Sequence, residues 1–293
     1  MPKPYALLRA GFPYLKTVGV KGMIDDPLDV AFGEEGRVYV LGNGPIQITN
    51  IDHENLGTIG GRAKAVDFQA NGDVVTVDEG DLFMPAQVIL DAQERLYVSD
   101  EACHTISIFD KDGTFVGRWG DFGSGDGQLR RPSGLAFDPD ENIYVVDTMN
   151  HRIQKFTKDG KYVTSYGKTG SGKKELVRPS DVAVDAKGMI YISDWGNERV
   201  VVINQNGEYI SSERGRSTLT TEWTNEFFES NVDERDSRSE ANLIPDLPQH
   251  LQTPYHMSSQ SEPLFWGITD LSIDNSGRLY AVSYTHLRAH ETR

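Results

Sequence analysis

Apolar and polar positions alternate along most of this chain, in short runs broken by Gly, Pro, Asn or Asp. The pattern is clearest in residues 132–167. SGLAFD (133–138) is short and alternating. IYVVD (143–147) is an unbroken β-branched and aromatic run, as expected of a buried strand. RIQKF (152–156) alternates again, like a strand with one wet face. YVTSYG (162–167) reads as a fourth strand, ended by glycine. Lys158-Asp159-Gly160 joins the last two runs. Asp-Gly between alternating runs predicts a hairpin with both turn residues at positive φ. Lys111-Asp112-Gly113 and Gln205-Asn206-Gly207 repeat the signal.

The four-run unit recurs without gaps. Pro85, Pro132 and Pro179 are spaced by 47 residues, as are Asp91, Asp138 and Asp185. Tyr97, Tyr144 and Tyr191 keep that register, followed by Asp100, Asp147 and Asp194. Phe109, Phe156 and Ile203 match, then Gly113, Gly160 and Gly207. GDFGSGDGQL (120–129) aligns with GKTGSGKKEL (167–176) between the units. Such a period marks a solenoid or propeller. No helical periodicity runs through it, so four-stranded blades set around an axis are expected. The predicted fold class is an all-β propeller with one α-helical insertion.

Two further units flank these. Pro27, Tyr39, Ile48, Ile51 and Asp52 match Pro85, Tyr97, Ile106, Phe109 and Asp110 at an offset of 58. The extra residues fall between Gly60 and Pro85. AVDFQANGDVVTVD (65–78) within them reads as a hairpin insertion, with a decayed half-blade as the alternative. TDLSIDNSGRLYA (269–281) begins another unit, placing Asp270, Asp274 and Tyr280 over Asp181, Asp185 and Tyr191. Residues 212–262 interrupt the repeats. TEWTNEFFESNVDERDSRSEANL (221–243) predicts an amphipathic helix capped by Thr221, with Trp223, Phe227, Phe228 and Val232 on one face. A Pro-rich loop, PDLPQHLQTP (245–254), follows. The aromatic face is expected to pack on the rim; a lid or partner-docking helix is the alternative.

Composition narrows the function classes. A net charge of −15 repels phosphate backbones and disfavours nucleic acid as a partner. Cys103 is the only cysteine, so no internal disulfide forms; that fits a reducing compartment and a cytoplasmic protein. The N-terminal apolar run is short and interrupted, unlike a signal peptide. No apolar run is long enough for a spanning helix. A monomer without a cofactor is expected, with a protein, peptide or small polar ligand as partner.

Alternation also fixes the faces. The turns after each second strand and the blade-to-blade connectors share one face. There the sequence gathers Asp100, Cys103 and His104; Asp147, Asn150, His151 and Arg152; and Asp194, Trp195, Asn197 and Arg199. Arg130, Arg131 and Arg178 join from the connectors. Strand-ending Asp residues that recur in every regular blade read first as turn acceptors, with the Arg bracing a neighbouring turn. As a group, these loops form the candidate ligand-binding face. His104 and His151 occupy equivalent places and could converge on a metal, with Glu198 as the third equivalent. Cys103 beside His104 could serve as a nucleophile only if the imidazole acts as its base.

PSGLAFD…IYVVDTMNHRIQKF (132–156) resembles the NHL repeat, and the likeness covers roughly residues 20–210 and resumes near 266. The resemblance implies a propeller, usually six-bladed, closed by strands from both chain ends. PYLKTVG (13–19) would then serve as an outer strand. It also implies a choice of activities. A regular repeat with no catalytic constellation leads to the expectation of a binding scaffold for protein, peptide or saccharide ligands on the loop face. The alternative is a metal-dependent enzyme, resembling peptidylamidoglycolate lyases or gluconolactonases, with a divalent ion in the channel. Some tripartite-motif members bind RNA, which the acidic charge disfavours here. VSYTHLRAHET (282–292) resembles a translated sequencing adapter, so 1–281 is expected to be the propeller and 282–293 a non-native tail.

Overall fold

Among the described residues each run of the repeat expected to be a strand is one, and successive strands of a blade pair antiparallel. The computed structural model describes residues 26–52, 54–63, 77–215, 228–240, 246–261 and 264–283. The first blade is Asp29–Phe32, Arg37–Leu41, Ile46–Asn50 and Asn55–Ile59. The second is Pro85–Leu90, Leu96–Asp100, Thr105–Phe109 and Phe115–Trp119. The third is Pro132–Phe137, Ile143–Asp147, Arg152–Phe156 and Tyr162–Tyr166. The fourth is Asp181–Val184, Ile190–Asp194, Arg199–Ile203 and Tyr209–Glu213. Ile268–Ile273 and Leu279–Ser283 pair as the first two strands of a fifth. In every complete blade the strands lie in chain order, and inner strands of successive blades pack together.

The core is a set of seams between blades. Tyr144 and Val146 pack toward the fourth blade with Val182, Ile190 and Val201. Ile143 and Val145, on the opposite side of the same strand, pack toward the second blade with Tyr97, Ile106 and Leu135. This is why the second strand is an unbroken apolar run: its alternating side chains are buried on both sides. Each fully buried Ile or Phe in a seam contributes about 1.5–3 kcal/mol relative to exposure.

Aspartates set the turns. Asp91, Asp138, Asp185 and Asp274 each accept backbone N–H bonds from residues two and four places on, closing the turn between the first two strands. Asp110 and Asn204 do the same between the third and fourth. This corrects the expected hairpin type. Gly113, Gly160 and Gly207 have positive φ, but Asp112, Asp159 and Asn206 do not. The turn is a longer one, closed by bonds such as Gly160 N–H to Thr157 O (2.9 Å). A register shift in the adjoining strands takes up the extra residue.

The connectors are alike. Asp121–Phe122 pairs in parallel with Gln128–Leu129, and Gly61–Arg62 with Asp81–Leu82. The hairpin expected over 65–78 falls almost wholly within 64–76, which lie outside the described residues.

The insertion departs from expectation. Residues 228–230 are helical and, after a break at Asn231, whose carbonyl accepts from Arg235 N–H, helix α1 spans Val232–Glu240. Val232 is 46% exposed, so it does not join a packed aromatic face. The reason is compositional: VDERDSRSE contains one apolar residue. Thr221, Trp223 and Phe227 lie outside the described residues. The Pro-rich loop ends in a second helix, α2, Pro254–Gln260, capped by the Thr253 side chain with Pro at the first position. Val282 and Ser283 belong to a strand and keep the repeat register; 284–293, like PYLKTVG at 13–19, lie outside the described residues. Among the described residues no helix is long and apolar enough to cross a membrane.

Ile143 is fully buried in a seam, whereas Val163 is 48% exposed. Ile143→Ala should lower unfolding free energy by about 2–5 kcal/mol and Val163→Ala by about 0.5 or less, read by denaturant titration.

Candidate functional site

Two layers of polar residues meet at one end of the blades. The outer layer is the repeated Asp-Asn-Arg cluster. Asp147 is fully buried and accepts from Arg130 N–H (2.7 Å), Asn150 Nδ2 (2.9 Å), Arg152 Nε (2.8 Å) and Gln154 Nε2 (3.0 Å). Asn150 passes a second N–H to Gly123 O, and Arg152 reaches Gly125 O and Gln128 O. Asp194, Asn197 and Arg199 repeat this on Val177 N–H, Gly170 O, Gly172 O and Glu175 O. The cluster thus fastens each blade to the connector that enters it. In the second blade Thr105 and Cys103 replace Arg and Asn. There Asp100 accepts from the backbone of Phe83, Met84, Ala102 and Cys103.

The next turn residue has a second fixed task. His104, His151 and Glu198 all adopt positive φ. His104 Nδ1 accepts from Arg131 N–H (3.0 Å) and His151 Nδ1 from Arg178 N–H (2.9 Å). Glu198 Oε2 accepts from Gly267 N–H (2.5 Å). Each donor precedes the next blade's inner strand and itself has positive φ. The two imidazoles are therefore bonded into different seams and do not gather around one ion. Cys103 is no activated thiol either. Burial and the neighbouring Asp100 push its pKa well up, which keeps it protonated at neutral pH.

The inner layer lines a cavity of about 600 Å³ at the axis, within the range of ligand sites. Three sets of repeat-equivalent positions face it. Asp29, Gln87, Gly134, Asp181 and Asp270 come from the five inner strands. Leu28, Ala86, Ser133, Ser180 and Thr269 precede them. Glu101, Thr148 and Trp195 each follow a strand-ending aspartate. Arg178 joins from a connector. Of the residues singled out from the sequence, Trp195 and Arg178 line the cavity. Asp100, His104, Asp147, Asn150, His151, Arg152, Asp194, Asn197 and Arg199 are absent from the lining and bond within the frame.

Inner-strand side chains also stitch neighbouring blades. Asp29 Oδ2 accepts from Val88 N–H (2.8 Å), Gln87 from Leu135 N–H, and Asp181 Oδ2 from Leu271 N–H (2.7 Å). Burial, opposed by the Val88 and Val30 N–H groups, leaves the Asp29 carboxyl raised to about 6; the charge of Asp270 adds to the rise. Asp181 is raised well above the carboxylate range, first by burial and then by Asp270 beside it. This inner ring escaped the sequence reading because Asp181 and Asp270 served there only as repeat markers. The available signal was a polar residue two places after Pro27, Pro85 and Pro179, where a seam strand would carry an apolar one.

A family model described as a 6-bladed β-propeller, DUF5128, matches residues 75–155 and 128–215. The fold is a β-propeller. The matched family is six-bladed; the described residues here supply four whole blades and two strands of another. The NHL likeness rests on the motif alone. Solved propellers agree in fold. The chain matches a virginiamycin B lyase from Staphylococcus aureus at 13% identity and a TM-score of 0.50, covering 89% of this chain. It spans 64% of that protein's length. A streptogramin B lyase matches at 13% identity, 93% and 67% coverage and a TM-score of 0.53. A gluconolactonase from Xanthomonas campestris matches at 15% identity, 87% and 68% coverage and a TM-score of 0.51. No curated protein matches the sequence.

Among the described residues no group of three His, Cys, Asp or Glu is placed to hold an ion. The inner ring offers Asp29, Gln87, Asp181 and Asp270 but no asparagine. These residues do not fit a preformed metal centre.

Two outcomes follow for stability. Asp147→Ala should cost about 3–5 kcal/mol in denaturant titration, because it leaves Arg152 without its carboxylate. The raised carboxyls give a pH dependence of definite sign. Their stabilising contribution is full below about pH 4, the ordinary Asp range, and is lost as pH rises through the folded value, about 6 for Asp29. Asp270→Asn removes a repelling charge, so it should raise Tm by about 2–4 °C at pH 7.5, the shift about 1 kcal/mol produces in a chain of this size. At pH 4 calorimetry should show no change.

Proposed function

We propose that the protein is a binding propeller that takes a small polar ligand, or one side chain of a peptide, in the axial cavity. One observation carries this reading. The outer layer keeps Asp-Asn-Arg unchanged between the third and fourth blades and its aspartate in the second, whereas the cavity positions differ: Asp, Gln, Gly, Asp, Asp in one ring and Glu, Thr, Trp in another. Residues that only hold a repeat together have reason to recur; residues that recognise an asymmetric ligand do not.

The local chemistry supports binding over nucleophilic catalysis. The Cys103 thiol is held protonated, and the Nδ1 atoms of His104 and His151 are engaged by backbone N–H groups. The lyase and lactonase names belong to the neighbours, and likeness at 13–15% identity extends to fold alone. The rim hydroxyls bond to one another and to inner-strand carbonyls. Ser133 meets Thr148 at 2.7 Å and the Ser180 carbonyl at 2.8 Å. They give the mouth a fixed polar wall.

Ala86→Trp places a large side chain in the mouth from a small lining residue. Any compound that stabilises the wild type in a thermal-shift screen of amines, peptides and saccharides should lose at least tenfold in affinity. The circular dichroism spectrum should be unchanged. Undiminished binding by the variant would place the ligand elsewhere.

A further inference from the structure

We infer that the cavity selects an organic cation, an ammonium or guanidinium group whose N–H donors meet Asp181 with Asp29 and Asp270 alongside. This rests on the binding reading above and names the ligand class for the same site.

The decisive atom is Asp181 Oδ1. Asp181 is 2% exposed and lines the cavity, yet Oδ1 meets no N–H donor in the protein; the side chain within hydrogen-bond reach of this carboxyl is that of Asp270, itself an acceptor when ionised. Its partner oxygen is committed to Leu271 N–H. Buried polar atoms are nearly always satisfied, so an orphan acceptor on a residue that lines a cavity points to a donor brought from outside. The neighbouring ring position favours the same conclusion. Gly134 carries no side chain there, and a Cβ at that place would lie 2.4 Å from Asp181 Oδ1. A larger residue in the third blade would thus displace the carboxylate oxygen that the ligand needs.

Charge supplies the second line. Asp270 stands beside Asp181, and its charge also acts on Asp29. Glu101 adds a fourth carboxylate to the lining, and Arg178 contributes a cationic side chain from the connector. Neighbouring like charges in a half-enclosed space favour a counter-charge. A bare divalent ion suits the place poorly, since no three of these carboxylates gather within reach of one ion. The volume of about 600 Å³ has room for an alkyl chain behind the charged head. Trp195 lines the same space and offers an aromatic face to a cation.

Isothermal titration calorimetry on the full chain tests this, with acetyl-arginine amide, acetyl-lysine amide and spermidine as cationic probes. Acetyl-citrulline amide, glucose and calcium chloride serve as the comparison set. The cationic probes should bind at pH 7.5, and arginine should exceed its neutral isostere citrulline at least tenfold. Binding should release protons, seen as a buffer-dependent heat, and weaken severalfold at pH 5, because a cation favours ionised carboxylates. Asp181→Asn should weaken the cationic probes at least tenfold. Asp270→Asn, which leaves the Leu271 bond intact, should weaken them about fivefold.

Other outcomes separate the claims. Citrulline or glucose binding as tightly as arginine, with Ala86→Trp abolishing it, would overturn the cation inference and leave the cavity reading standing. Stoichiometric calcium binding lost in Asp181→Asn would overturn it in favour of a metal. Cation binding unaffected by Asp181→Asn would overturn it too. If none of these probes bound at millimolar concentration, and none stabilised wild type more than Ala86→Trp, both claims would fail.

Discussion

The buried aspartate that ends the second strand of the second, third and fourth blades, Asp100, Asp147 and Asp194, holds those blades in register. A carboxylate with no solvent contact must have its lone pairs filled, or its burial would be prohibitive. Asp147 and Asp194 meet that demand with donors from two sources, their own blade and the connector arriving from the blade before. Each bond set therefore fixes a position along the sheet and a relation between sheets at once. The apolar seams bring blades together without specifying how far one slides past another. The aspartate clusters provide that specification, and the cavity walls inherit their placement from it.

A rigid frame leaves the axial positions free to vary. Ser99, Ser133 and Ser180 spend their hydroxyls on carbonyls of the following inner strand, while the ring beside them changes from carboxylate to amide to glycine. The same backbone site thus carries different chemistry in each blade. Gly134 shows how tightly such differences are coupled, because the space it leaves is occupied by the Asp181 side chain of the next blade. The strained-looking charge distribution at the axis sits on the best-braced part of the fold.

Much of this was legible in the sequence. The spacing of Pro85, Pro132 and Pro179 and the IYVVD run gave the blades, because period and two-sided burial are one-dimensional properties. The bracing role of Asp147 and Arg152 was also readable, since a task performed in several repeats is a task of the frame. The hairpin geometry was misjudged at Asp159-Gly160, where the asparagine-like turn closed by Thr157 needs only glycine at positive φ. The helix of the insertion is broken at Asn231, with helical residues on either side of it; 221–227 and 241–243 lie outside the described residues. The axial carboxylates escaped notice for a physical reason. Asp29, Asp181 and Asp270 lie up to 241 positions apart in the chain, and only the radial packing makes them neighbours.

The central claim is that the axis gathers carboxyl groups whose ionisation burial and mutual repulsion oppose and a bound cation favours. Carboxyl-carbon NMR titration of the aspartates reads this directly. The ligand-free protein should show an axial aspartate titrating near 6, absent in Asp29→Asn, that moves to lower pH when acetyl-arginine amide is added. Aspartates that all titrate near 4, unmoved by the amide, would contradict the account.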